Sequence, residues 1–84
     1  MGDKVVVEFN NCVDMSKQEI EIPLDITAQE LAMALNSAFS LGMNVEDPFA
    51  CYLVAENPIA FLRGNKTLRG FGIRNGSQII YKRD

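Results

Sequence analysis

Histidine is absent from this 84-residue chain, and its two cysteines, Cys12 and Cys51, stand far apart with no Cys-x-x-Cys pair. That removes the usual zinc ligand sets and the imidazole on which most acid–base and nucleophilic sites depend. Neither cysteine has a sequence-visible activator, so both read as reduced cytosolic thiols, with Cys51 a small buried apolar residue and a disulfide between them left open. No apolar run approaches the roughly twenty residues that cross a bilayer, and Met1-Gly2-Asp3-Lys4 leads directly into a strand pattern. The expectation is a soluble, unexported, cytoplasmic chain without direct membrane insertion. Repeats, low-complexity tracts and linkers are also missing, which leaves one domain over residues 1–84. Gly64, Gly70, Gly72 and Gly76 lack the Gly-x-x-x-x-Gly-Lys spacing of a phosphate loop and read as turn residues. The readings that follow are no catalytic residue, no cofactor and no metal.

Charge is modest but uneven. Residues 1–42 hold two basic and seven acidic side chains, and 43–84 hold six and four, so that −5 and +2 make up the net −3. A dense basic face with aromatic platforms is lacking, which excludes nucleic acid. The asymmetry instead suits orientation of a protein partner or of a second copy of the chain.

Nearly half the residues are apolar, and their spacing carries the structure. In Lys4-Val5-Val6-Val7-Glu8-Phe9, alternation places Val5, Val7 and Phe9 on one face and Lys4, Val6 and Glu8 on the other. After a polar loop of about eight residues containing Asn10, Asn11 and Asp14, Gln18 to Leu24 alternates again, with Ile20, Ile22 and Leu24 inward and Pro23 near the end. A hairpin results.

Thr27 and Glu30 form a capping-box pattern, with Ile26 placed to staple onto Leu31. The helix they start is expected to reach about Leu41, with Gly42 as a left-handed cap and Leu31, Ala34, Leu35, Ala38 and Phe39 facing the core. Its outward stripe of Gln29, Met33, Asn36 and Ser40 carries no charge and is a candidate second contact surface. Residues 49–55 read as a third strand, 59–62 as a short fourth and 77–82 as the last, which follows the turn formers Asn75-Gly76.

With the first and last strands adjacent and parallel, the order hairpin, helix, strands gives an α+β β-grasp: a mixed four- to five-stranded sheet with one helix packed across one face. At this point the chain resembles the ubiquitin-like superfamily. The residues that carry the resemblance are the hairpin and capped helix, followed by Thr67-Leu68-x-x-Phe71-x-Ile73-x-Asn75-Gly76-x-x-Ile79-x-Tyr81. It implies that Leu68 and Ile73 plug the open end of the core.

Within that superfamily the small size, long first loop and ending at the last strand look most like the YukD/EsaB-like proteins of Gram-positive type VII secretion systems. Those are cytoplasmic accessory or regulatory components of a machine that exports WXG100 proteins. The resemblance therefore implies a non-catalytic bacterial interaction protein whose partner is a protein component of that machine. Conjugating and sulfur-carrying relatives need a terminal Gly-Gly, whereas this sequence reads Tyr81-Lys82-Arg83-Asp84. A modifier or sulfur carrier lacking its Gly-Gly tail, and a structural oligomerisation module, remain as alternatives.

If Val5, Val7, Ile79 and Tyr81 face the helix, Val6 and Ile80 face solvent side by side, with Tyr52 or Val54 nearby. A contiguous apolar patch of that kind marks a partner site. Arg63, Lys66, Arg69 and Arg74 are its candidate basic rim.

Overall fold

The computed structural model describes residues 3–44, 46–47 and 52–82. Its elements are β1 (Lys4–Asn11), β2 (Ser16–Pro23), α1 (Ala28–Phe39), β3 (Leu53–Glu56), β4 (Ala60–Leu62), α2 (Leu68–Phe71) and β5 (Gln78–Tyr81). The strands form one mixed sheet in the order β2-β1-β5-β3-β4. The central pair, β1 and β5, is parallel and the other pairs are antiparallel. This is the expected β-grasp arrangement.

Alternation in β1 is as expected: Val5, Val7 and Phe9 are buried, and Val6 is exposed. The first loop is shorter than expected. Asn10 and Asn11 stay in the ladder, opposite Lys17 and Ser16 of β2 and Ile80 and Tyr81 of β5, so that only residues 12–15 connect the strands. The turn closes through side-chain acceptors: Asn11 Oδ1 takes the amide of Val13 at 3.0 Å and Asp14 Oδ1 that of Ser16 at 3.0 Å.

Helix α1 starts as its sequence dictates. Thr27 Oγ1 accepts the amide of Glu30 at 3.1 Å, and Glu30 Oε1 accepts that of Thr27 at 3.0 Å. The helix ends earlier than expected, because Ser40 already adopts the left-handed conformation at φ 53° and its N–H returns to Asn36 O. The buried face is Ala28, Leu31, Ala32 and Leu35, with Phe39 partly buried. Ala34 and Ala38, expected inward, are exposed. They lie one residue, or about 100° of helical rotation, away from Leu35 and Phe39.

The segment between β4 and β5, whose glycines read as turn residues, contains a helical turn of four residues. Thr67 Oγ1 caps Gly70 N at 3.1 Å, and Gly72 ends the turn at φ 82°. Leu68 is fully buried and Ile73 nearly so, as the family resemblance implied. This segment is clasped to the start of α1: Ala28 N donates to Lys66 O, Leu68 N to Ile26 O and Arg69 N to Leu24 O, each at 2.9 Å, around a Thr27–Thr67 bridge.

At the opposite end of α1, the Phe9 and Phe39 rings approach to 5.0 Å, and the Tyr81 hydroxyl donates to Leu41 O at 3.2 Å. Residues 49–51 of the expected third strand, Cys51 included, lie outside the described residues, and Glu56, expected in the turn, extends β3.

A candidate protein-interaction face on the sheet

With the helix covering one side of the sheet, alternate residues of every strand face away from it, and the register fixes which of them are neighbours. One row crosses all five strands: Lys17, Asn10, Ile80, Val54 and Phe61. A second row, about 6.6 Å further along the strands, crosses four of them with Glu19, Glu8, Gln78 and Glu56.

The first row ends in the largest exposed aromatic on the sheet. Phe61, with 66% of its surface accessible, meets the half-buried Tyr52 edge to face at a centroid distance of 6.1 Å. Sequence reasoning did not single out Phe61. Its signal was present in the inward-facing Leu62, whose strand neighbour must point outward.

Ile80 lies on this face as expected but is only 8% exposed, because it occupies the central strand with Asn10 on one side and Val54 on the other. Val6 is 40% exposed, yet it does not sit beside Ile80. Ile80 pairs with Asn10, and Val6 is four residues back along β1, about 13 Å away, with Glu8 between.

The backbone of Val6 is held instead by the last turn. Its N–H donates to Asn75 Oδ1 at 2.8 Å, and its carbonyl accepts from Gly76 N at 3.0 Å. The turn itself closes from Ser77 N to Arg74 O, with Gly76 at φ 87°, which an L side chain rarely adopts. Around it lies a shallow depression of about 340 Å³ lined by Val6, Glu8, Glu19, Asn75, Gly76 and Gln78.

Asn10 is the one polar residue within the apolar row whose burial is near complete, at 9% exposed. Its Oδ1 finds no hydrogen-bond partner among the described residues. Natural folds leave few such acceptors.

The four basic residues do not assemble into a rim. Arg69 is bound to Asp25 through Nε at 3.1 Å and to Asp3 through Nη2 at 3.2 Å; these carboxylates raise its pKa further above the ordinary arginine value. Lys66 Nζ lies 4.9 Å from the centroid of the Phe71 ring. Arg74 opens the last turn, its N–H donating to Ser77 Oγ at 3.0 Å. Only Arg63, directly after β4, stands next to the face.

On the helix, Asn36 is engaged in structure. Its Oδ1 accepts Met43 N at 2.9 Å and its Nδ2 donates to Met43 O at 3.4 Å. Ser40 provides the left-handed cap, which leaves the exposed Met33 and half-buried Gln29 of the proposed stripe. Cys12 is an exposed free cysteine in the first turn.

This architecture has solved counterparts. The C-terminal ubiquitin-like domain of mouse tubulin-specific chaperone e superposes with a TM-score of 0.68 at 15% identity, over 94% of this chain and 84% of that one. The ubiquitin-like domain of Plasmodium falciparum Dsk2 superposes at 0.61 with 17% identity, over 95% of this chain and all of that one. At these identities the likeness is one of fold, and the fold is ubiquitin-like. No protein-family model matches the sequence, and no curated protein matches it.

Proposed function

We propose that this chain is a non-catalytic protein-interaction module that docks a partner on the outward face of its sheet, through Phe61, Tyr52, Val54 and Ile80, with Val6 at the far end of the face. The observation that carries this reading is the exposed Phe61 at the end of an apolar row. Phe61 serves no core, and an aromatic presented beside further apolar side chains is the usual anchor of a protein interface.

The module acts as an accessory or regulatory component of a type VII (WXG100) secretion system in the cytoplasm. That assignment rests on the sequence resemblance to the YukD/EsaB-like proteins, whereas the pattern from Thr67 to Tyr81 supports the ubiquitin-like fold alone. The long first loop no longer supports it, since the connection is four residues, 12–15.

Affinity purification of the tagged protein from its native cell tests both parts. The expected result is recovery of a secretion-machine component, lost in Phe61→Glu while the circular dichroism spectrum is unchanged. Undiminished recovery by Phe61→Glu would sink the docking face. Recovery without any secretion component would sink the assignment to that machine.

A further inference from the structure

We infer that the segment bound by this face is cationic and amphipathic, an apolar stripe flanked by lysine or arginine. The inference deepens the docking reading above and rests on it. Its basis is the second row. Glu19, Glu8 and Glu56 place carboxylates on three of the four strands that row crosses, and none of them forms an ion pair among the described residues. Glu8 and Glu19 stand directly opposite each other, a like-charge arrangement that weakens a sheet. Their side chains face away from the core, so packing does not demand carboxylates there. A cationic partner relieves the repulsion; within the chain Lys17, two residues from Glu19 on the same face, forms no ion pair with either carboxylate among the described residues.

The two rows together describe the occupant. The apolar row from Asn10 to Phe61 accepts aliphatic or aromatic side chains, and the acidic row runs parallel to it about 6.6 Å away. That separation suits neighbouring ridges on one helix, whose side chains three and four apart lie about 5–6 Å from each other. From Glu19 to Glu56 is three strand spacings, about 14 Å, the length of roughly ten helical residues. Asn10 Oδ1 is shielded in the isolated chain and takes an N–H from the occupant only when its amide turns outward.

A second copy of the chain suits the face poorly. A two-fold contact whose axis runs along the strands sets the acidic rows against each other. Arg69 is already held by two carboxylates and Lys66 lies over Phe71, which leaves Lys17 and Arg63, at the two ends of the first row, as the cations nearest this face.

The test uses two synthetic helical peptides of about 14 residues, a little longer than the acidic row. They share a leucine stripe and differ only in flanking lysines or glutamates, and each is titrated into ¹⁵N-labelled protein. The lysine peptide is expected to move the amides of Glu8, Gln78, Ile80, Val54, Glu56 and Phe61, and the glutamate peptide to leave them in place. Replacing Glu8, Glu19 and Glu56 together by glutamine should weaken binding about tenfold, the combined effect of three exposed ion pairs, and added salt should do the same.

Equal binding of the two peptides, or unchanged affinity of the triple variant, would overturn the inference. The docking reading would survive that result if Phe61→Ser still abolished binding, and would fall with it otherwise. Lysine-peptide shifts centred on Asp3 and Asp25 would also overturn it. So would concentration-dependent self-association, removed by Phe61→Ser, in sedimentation of the protein alone.

Discussion

Asn10 and Ile80 face each other across the central parallel strand pair, on the side of the sheet that the helix does not cover. The amide carries an acceptor without a partner among the described residues, next to a nearly buried isoleucine. A buried acceptor left unsatisfied costs more than the same site filled with carbon.

Asn10→Val should therefore stabilise the fold by about 1 kcal/mol, removing a desolvated polar atom and adding a β-branched side chain to the row. Urea denaturation at constant m-value is the measurement. A lower midpoint for the variant would refute this account of Asn10.

The capping box of α1 has a separable contribution. Thr27→Ala removes the acceptor for Glu30 N while leaving the buried helix face intact. A loss of about 1 kcal/mol is expected, or about 4–8 °C in Tm for a chain of this size. Thr27→Ser, which keeps the oxygen, should recover most of it.

Asp14 gives the first turn an acid-sensitive element. Hydrogen bonds from the Ser16 hydroxyl and then the Ser16 amide hold its carboxyl below the ordinary 3.8. With the folded-state pKa depressed, the stabilisation is fully present above the unfolded value and is lost as pH falls through the folded one. An NMR titration should place the Asp14 midpoint below 3.8, with the Ser16 amide shifting in step. In Asp14→Asn the Ser16 shift at that midpoint should vanish.

Much of the fold was legible because apolar periodicity and caps are local. Thr27 and Glu30 announced the helix, and alternation assigned inward and outward faces in β1 and β5. The errors arose where local signals are silent. Asn10 and Asn11 resemble turn formers in isolation but are strand residues once β5 pairs with them. The helix face was misjudged at alanines, whose small side chains mark neither side: Ala28 and Ala32 are buried where Ala34 and Ala38 were expected.

The candidate site shows the limit most clearly. Alternation identifies the face on which Val6 and Ile80 lie but not the offset between their strands. A slide by an even number of residues, here four, keeps every side chain on its face and changes all its neighbours. Ile80 thereby gains Asn10 in place of Val6, beside the expected Val54, while Phe61 emerges as the exposed end of the row.

The order β2-β1-β5-β3-β4 leaves two strands at the margins of the sheet. One presents Lys17, Glu19 and Glu21 and ends at Pro23; the other is only three residues long, Ala60–Leu62. Charge, proline and brevity are the devices by which natural sheets discourage a further strand from joining. A further strand thus meets charge on one margin and a very short edge on the other, while the outward face offers side chains that single substitutions can change without redrawing the backbone.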